Sequence, residues 1–304
     1  MSKAPFQLQV PPPDDSQNSA ADRASSRSSH ESGKGSFSDP LQSSRRGLSG
    51  VLETILRRFK VLTHVALIVP IYGFCCLTLG GAVAAGIATF DLLTSVIPAP
   101  YPVLKYLVMG FSGAAGYFAY GFSLLLIVPF VNLILRAKLK PWRGSYYSLE
   151  TIRWYLHNGA TYLVRFTFLE FVTPTPFNLL FYRWMGMRIG SGTTINSTWI
   201  SDPSLIEMGR KVTIGGSVTI VAHYGQGGYL VLAPVKIGDK VTVGLKATIM
   251  GGVTIGEGAK ILPNSVVMPK TEIPAGETWG GVPARKIERE PASEAGTTSS
   301  KRSS

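Results

Sequence analysis

A six-residue rhythm in the last third of the chain constrains the fold more than any other feature. Aliphatic residues recur at every sixth position, often followed by glycine, in two sets with an interruption between them. The positions are Met208, Ile214 and Ile220, then Ile237, Val243, Ile249, Ile255, Ile261, Val267, Ile273 and Trp279, with a shorter piece at Ile189 and Ile195 before them. No helical period places apolar residues strictly at six, so the pattern predicts one short strand and one tight turn per hexad.

Hexads of this kind predict a parallel β-helix, because three of them close a triangular coil. A single coil cannot bury its apolar side chains, so stacked coils supply the core as aliphatic ladders. We therefore expect a mainly β domain over residues 183–287, a left-handed parallel β-helix of about four coils. The first coil looks irregular, with Asn196 and Trp199 where inward aliphatic or small residues are usual.

The interruption in the rhythm predicts a loop that leaves the β-helix. After Ile220 the pattern resumes at Ile237 instead of at position 226, and the intervening segment from His223 to Pro234 reads HYGQGGYLVLAP. Because stacked coils are rigid, an inserted loop is a place where functional side chains can be held.

Two long apolar stretches, Val61–Phe90 and Tyr106–Leu135, precede the repeats. Each exceeds the roughly 20 residues that a helix needs to cross a bilayer, so they predict a transmembrane helical hairpin within residues 49–145. The composition agrees, since 45% of the chain is hydrophobic and only 16% is charged. A pair of buried core helices is the alternative. Small residues would let the two helices pack closely: Gly80, Gly81, Ala84 and Ala85 in one, Gly110, Gly113, Ala114 and Gly116 in the other.

The net charge of +12 is informative through its distribution along the chain. Basic residues flank the predicted hairpin on its outer sides, whereas its connecting loop offers only Lys105. The flanking residues are Arg57, Arg58 and Lys60 on one side and Arg136, Lys138, Lys140 and Arg143 on the other. This asymmetry predicts an integral membrane protein with both termini and the β-helix in the cytoplasm. No basic run is interleaved with aromatic residues, so we do not expect nucleic-acid binding.

The remaining segments are predicted to be two tails and a linker. Residues 1–48 are rich in Ser, Pro, Asp and Arg, which predicts a disordered tail, and residues 288–304 are read in the same way. Residues 146–182 are aromatic-rich but interrupted by charge, which favours an interfacial helix and linker, ended by Pro174 and Pro176, over a third membrane span. Cys75 and Cys76 are adjacent in an apolar run and form neither a disulfide framework nor a CxxC site.

The repeat region resembles the hexapeptide-repeat acyltransferases, which transfer an acyl group from a coenzyme A thioester to a hydroxyl or amine. The resemblance rests on the repeats, on His223 at the mouth of the loop and on the terminal run SVVMPKTEIPAGETWGGVPARKI. More narrowly, SDPSLIEMG, VTIVAHYGQGGYLVLAPVKIGDKVTVG and PAGETWGGVPA are similar to the membrane-linked C-terminal modules of polylysine-synthetase-type peptide synthetases. The resemblance covers about 100 residues of the repeat region.

The resemblance implies a catalytic pair. His223 matches the catalytic histidine of the family, and an unperturbed imidazole suits a general base because it titrates near pH 6.5. Asp202 matches an acidic position of the related modules and could orient His223, although an Asp-Pro turn explains it equally. Glu207 lies in the same coil and is a second candidate for the orienting role.

The resemblance also implies acetyl-CoA or another acyl-CoA as co-substrate, bound in the groove between coils and at the final turn. Gly244 and Gly252 would let the pantetheine arm approach the backbone, although simple corner geometry also explains them. Lys270, Arg285 and Lys286 carry charge suited to the nucleotide phosphates, although a solvated end of the domain explains them too.

The acceptor, the oligomeric state and the alternatives to an acyltransferase complete the expectations from the sequence. The acceptor is expected to be a small molecule or a lipid-linked group, and a short β-helix with one copy per chain favours a homotrimer. A zinc carbonic anhydrase of this fold needs three histidines, whereas His223 is the only one in the repeats, so we expect no metal site. A catalytically inactive β-helix that oligomerises or docks a partner at the membrane is the alternative to an enzyme.

Overall fold

The computed structural model describes residues 47–288. The tails predicted for residues 1–48 and 288–304 lie outside this range, apart from the boundary residues 47, 48 and 288. In chain order the helices are α1 (Leu48–Arg58), α2 (Lys60–Val96), α3 (Pro102–Ile134), α4 (Leu149–Thr167) and α5 (Pro176–Trp184), with 3₁₀ turns at Leu169–Val172 and Pro203–Leu205.

Helices α2 and α3 contain the two long apolar stretches and pack against each other. By length and composition, Ile68–Val96 and Pro102–Ile134 could each cross a membrane. The backbones come closest at Gly86 and Gly116, where a Cβ added to either glycine would lie 2.8 Å from the carbonyl oxygen of the other. The expected close packing is therefore present at Gly116. Gly80, Gly110 and Gly113 instead face open space, and Gly86, the partner of Gly116 in this contact, was not among the predicted residues.

The repeats form three parallel sheets, one for each face of the predicted triangular coil. Face 1 contains β2 (Arg188–Ile189), β5 (Ile206–Met208), β10 (Val235–Ile237), β13 (Thr254–Ile255) and β16 (Glu272–Ile273). Face 2 contains β3 (Thr194–Ile195), β6 (Thr213–Ile214), β11 (Thr242–Val243), β14 (Lys260–Ile261) and β17 (Thr278–Gly280), and β18 (Arg285–Lys286) pairs antiparallel with β17. Face 3 contains β4 (Ile200–Ser201), β7 (Thr219–Val221), β12 (Thr248–Ile249) and β15 (Val266–Val267).

The predicted aliphatic ladders are present. On face 1, Met208, Ile237, Ile255 and Ile273 stand in register and are buried. Full burial of one such side chain stabilises the fold by about 1.5–3 kcal/mol, so the stacked ladders form a stabilising core inside the coils. The ladders of faces 2 and 3 run in register in the same way through Ile214, Val243 and Ile261, and through Ile220, Ile249 and Val267.

The structure of the first coil shows that one expectation from the sequence, an irregular core at Asn196 and Trp199, is wrong. Its inward position on face 3 is Ile200, which pairs with Ile220 and is fully buried. Asn196 and Trp199 therefore point outward and do not interrupt the core, and Trp199 is 48% exposed. The reading failed because Ile200 stands one residue earlier than the six-residue rhythm requires after Ile195.

The interruption between Ile220 and Ile237 is a β-hairpin. Its strands β8 (His223–Gln226) and β9 (Tyr229–Leu232) are antiparallel, with His223 opposite Leu232. On its other edge β9 pairs with β1 (Trp142–Ser145), with Leu232 opposite Trp142. The segment that follows α3 is thus hydrogen-bonded to the hairpin that begins with His223.

Helix α4 packs against the hairpin of α2 and α3 and reaches the β-helix. Ser148 caps it by accepting a hydrogen bond from the backbone N–H of Thr151. The helix ends at Thr167, before the prolines expected to end it, and Pro176 instead begins α5. That α4 lies on a bilayer surface stays a prediction.

Candidate active site

His223 and Asp202 meet at the corner between face 3 and face 1. Asp202 follows β4 in a left-handed backbone conformation (φ 58°), and His223 occupies the same corner one coil later. His223 Nδ1 lies 2.5 Å from Asp202 Oδ2. The carboxylate is completely buried, whereas the imidazole side chain is 23% exposed. Stacking of coils therefore brings together the two residues that the sequence suggested as a pair.

Four donors converge on the Asp202 carboxylate. Oδ1 accepts from Trp154 Nε1 at 2.9 Å and from Asn158 Nδ2 at 2.7 Å. Oδ2 accepts from the backbone N–H of Ala222 at 3.1 Å and from His223. A buried carboxylate without such partners would be strongly destabilising, so these donors both offset its burial and fix its orientation.

The contact with Asp202 determines which nitrogen of the neutral His223 imidazole carries the proton. With Nδ1–H donating to Asp202, Nε2 carries a free lone pair and can accept a proton. Within residues 47–288, no hydrogen bond to Nε2 is formed. The Trp154 ring packs edge-on against the imidazole, with ring centroids 5.0 Å apart. The ring is thus held on two sides while one nitrogen stays available for chemistry.

A second buried histidine lies beside this pair. His157 in α4 is fully buried, with Nδ1 2.9 Å from Asn132 Oδ1 and Nε2 3.4 Å from Ser204 Oγ. Burial lowers its pKa to about 4, although the nearby Asp202 charge acts in the opposite direction. His157 is therefore neutral near pH 7 and serves as a hydrogen-bonding link between α3 and the first coil.

The residues expected to hold acyl-CoA lie in three separate places. Gly252 and Lys270 lie on the same corner as His223, in the next two coils, since the Gly252 N–H donates to Ala233 and the Lys270 N–H to Gly251. Gly244 lies at the corner between faces 2 and 3, against Pro263. Arg285 and Lys286 lie in β18 at the end of face 2, where Lys286 forms an ion pair with Glu277 at 2.8 Å. One copy therefore does not bring all five to one place.

The second candidate for the orienting role receives a direct answer from the geometry. Glu207 points away from His223 and pairs with Arg188 at 3.2 Å, so it is not the orienting carboxylate. Among the residues from 47 to 288, no group of three or more His, Cys, Asp or Glu side chains is arranged to hold a metal ion.

Sequence reasoning missed Trp154 and Asn158. Both lie in α4, one helical turn apart and hence on one face, which is the only local signal that they act together. Nothing in the sequence of α4 shows that this face meets Asp202, because the contact forms only when helix and β-helix pack.

Comparisons with known proteins agree with the repeat architecture. The model "Bacterial transferase hexapeptide (six repeats)" matches residues 234–269. The YvoF protein of Bacillus subtilis, provisionally named an acetyltransferase, is 30% identical over 148 residues, which cover 44% of this chain and 83% of YvoF. This chain belongs to the hexapeptide-repeat acyltransferase family. The three parallel sheets are consistent with the left-handed β-helix of that family.

Two further relatives are matched over smaller portions of their own length, and one solved structure is similar to this chain over most of its own length. Delta-poly-L-ornithine synthetase of Acinetobacter baumannii is 26% identical over 157 residues, covering 52% of this chain and 12% of the synthetase. Mitochondrial gamma carbonic anhydrase 1 of Arabidopsis thaliana is 32% identical over 106 residues, covering 34% of this chain and 36% of the anhydrase. The Vibrio cholerae acetyltransferase VCA0836 in complex with acetyl-CoA has a TM-score of 0.40 and 23% identity over 51% of this chain and 96% of its own.

Proposed function

We propose that this chain is a membrane-anchored acyltransferase that moves an acyl group, most simply acetyl, from acyl-CoA to a hydroxyl or amine. The observation that carries the proposal is the contact between the partly exposed His223 and the buried Asp202. A base that is held by a buried carboxylate and presents its other nitrogen outward is the arrangement that acyl transfer requires.

In the proposed reaction His223 Nε2 removes the proton from the acceptor as its oxygen or nitrogen attacks the thioester carbonyl. The tetrahedral intermediate collapses with cleavage of the carbon–sulfur bond, and the coenzyme A thiolate takes up the proton from the imidazolium. Asp202 holds the imidazole and stabilises the cation between these two steps. A positioned base of this kind contributes about 10²–10⁴ to the rate.

The divided placement of the predicted acyl-CoA residues supports a homotrimer. Gly252 and Lys270 accompany His223 at one corner, whereas Gly244 and the β18 residues lie on other parts of the triangle. A site at the interface of two copies would draw Gly252 and Lys270 from one copy and the other residues from its neighbour, so the co-substrate would bind between neighbouring β-helices.

Membrane anchoring is supported by the surfaces of α2 and α3. Large apolar side chains are exposed along both helices, for example Leu77 at 79%, Leu107 at 64% and Leu133 at 73%. Exposed apolar surface on this scale suits lipid contact better than water. With basic residues outside both helices, the β-helix would face the cytoplasm and its acyl-CoA.

Thiol release from acetyl-CoA and from longer acyl-CoAs, measured with the purified full-length protein and candidate acceptors, tests this function. We expect acceptor-dependent release that falls by about 10²–10⁴ in His223→Ala. Release unchanged in this variant, with native circular dichroism, would contradict the assigned base and favour the scaffold alternative. Anchoring is tested separately, since the protein should stay in the membrane pellet after alkaline carbonate extraction.

A further inference from the structure

A basic cavity lies beside the point where the chain leaves α3. Its volume is about 340 Å³, and charged side chains from the post-α3 segment and from face 1 line it: Lys138, Lys140, Arg188, Glu207 and Lys236. Arg188 and Glu207 neutralise each other at 3.2 Å. Within the range 47–288, the three lysines have no ion-pair partner. The cavity therefore presents an uncompensated charge of three lysines, which favours an anionic group such as a phosphate.

An apolar groove lies next to this cavity on the membrane side. Its volume is about 250 Å³, and it is lined by Leu126, Pro129, Phe130 and Leu133 of α3 together with Trp184 of α5. Phe130, Leu133 and Trp184 are 62%, 73% and 45% exposed. Since α3 is apolar enough to span a bilayer, the groove is suited to an acyl chain rather than to water.

The cavity and the groove are adjacent. Trp184 in the groove precedes Gly186 by two residues, and a Cβ added to Gly186 would lie 3.9 Å from Lys138 Cε. Leu133 in the groove lies at the end of α3, just before Lys138. A ligand that fits both features carries a hydrocarbon chain and, a short distance from it, a phosphate.

We infer that the protein binds one phospholipid of net negative charge, with its phosphate among Lys138, Lys140 and Lys236 and one chain along the groove at Trp184. This inference rests on the membrane anchoring proposed above. Ser204 and Pro234 also line the cavity. Ser204 is two residues from Asp202, and Pro234 follows the hairpin that begins with His223, so the cavity is bordered by residues close along the chain to the candidate pair, although neither His223 nor Asp202 lines it. The substrate class that we infer is a lipid that bears its acceptor group near its phosphate.

The test uses full-length protein in nanodiscs and native mass spectrometry, with phosphatidylglycerol and phosphatidylcholine as the two probes. We expect one retained phosphatidylglycerol and a preference over phosphatidylcholine of about a hundredfold, set by the three lysines. The triple variant K138Q/K140Q/K236Q should lose this preference. Lys260→Gln, which removes an exposed lysine from face 2, should keep it.

Separate measurements distinguish a lipid from free phosphate and from a failure of the proposed function. Trp184→Ala and Phe130→Ala should each weaken retention of phosphatidylglycerol, whereas displacement of the lipid by inorganic phosphate alone, with no effect of these two variants, would overturn the assignment. Equal retention of both lipids, or retention by the triple variant, would also overturn it. Carbonate extraction on the same preparations shows whether anchoring itself has failed, and thiol release with a soluble acceptor shows whether catalysis has.

Discussion

The indole N–H of Trp154 donates to Asp202 Oδ1 at 2.9 Å, and this bond joins helix α4 to the corner of the β-helix that holds His223. Trp154 also packs edge-on against the His223 ring. One side chain from outside the repeats thus contacts both members of the proposed pair. Helix α4 is therefore part of the candidate site, and a repeat domain cut away from it would lack two of the four donors to Asp202.

Trp154→Phe removes the N–H donor and keeps an aromatic ring beside His223. Because a hydrogen bond to a carboxylate contributes about 1.5 kcal/mol or more, we expect kcat to fall about tenfold. The KM for acyl-CoA should stay unchanged, since Trp154 would act through Asp202. Steady-state thiol release measures both constants. Trp199→Phe, at a 48% exposed tryptophan of the first coil, is the matched control. An equal loss in both variants would argue against a positioning role.

Asp202→Asn tests the carboxylate itself. Whichever way the new amide is turned, its NH₂ group faces donors, either Trp154 and Asn158 or Ala222 and His223. In the second orientation the imidazole loses the acceptor that fixes Nδ1–H, and in the first it keeps only a neutral acceptor that no longer stabilises the imidazolium. We therefore expect thiol release to fall by about 10²-fold or more. Combined with Trp154→Phe, the loss should be less than the product of the two single effects, because both act through one group. Strictly multiplicative losses would mean that Trp154 acts elsewhere.

His157 should make stability depend on pH. Its folded-state pKa of about 4 lies below the ordinary 6.5, so between these values the unfolded chain binds more protons than the folded chain. The stability due to the neutral, buried imidazole is fully present above pH 6.5 and is lost as the pH falls towards 4. We expect about 2 kcal/mol to be lost between pH 7 and pH 5.

Thermal unfolding in detergent across this pH range measures the effect of His157. His157→Gln keeps hydrogen-bonding capacity without a titrating ring, and its Tm should fall less between pH 7 and pH 5 than that of the wild type. Parallel curves for the two proteins would assign the acid sensitivity to other groups.

Gly116→Ala should destabilise the α2–α3 pair. Its Cβ would lie 2.8 Å from the Gly86 carbonyl oxygen, so the helices must separate, and overpacking of this kind costs about 1–3 kcal/mol. Gly113→Ala, in the same helix but facing open space, should be neutral or slightly stabilising, since alanine favours helix. Thermal unfolding of both variants provides the comparison, and equal Tm values would show that the close approach contributes nothing.

The ladders could be predicted from the sequence because each depends only on the residues of its own hexad. Ile237, Ile255 and Ile273 fall in register simply because their spacing repeats. The pairing of Asp202 with His223 was also within reach, because stacked coils place equivalent corners together. That these two residues act in catalysis stays a prediction.

The rest of the site depends on contacts that no local pattern encodes. The strand Trp142–Ser145 forms only because the His223 hairpin offers it a free edge, and its four residues carry no strand periodicity of their own. Asn158 reads as a polar residue on an amphipathic helix, although it donates to Asp202 Oδ1 and accepts from the Asp202 backbone N–H. The grouping of Lys138 with Lys236 likewise requires the packed fold.

The pairing of Trp142 with Leu232, and of Leu232 with His223, has a mechanical consequence. A tilt or vertical shift of α3 would be transmitted through the short segment before Trp142 and then through the backbone hydrogen bonds that pair the three strands. It would thereby move the β-hairpin that begins with His223. In the membrane-anchored acyltransferase that we propose, changes in bilayer thickness or lateral tension would then alter how the imidazole is presented, and turnover would respond to the physical state of the membrane as well as to the concentration of its substrates.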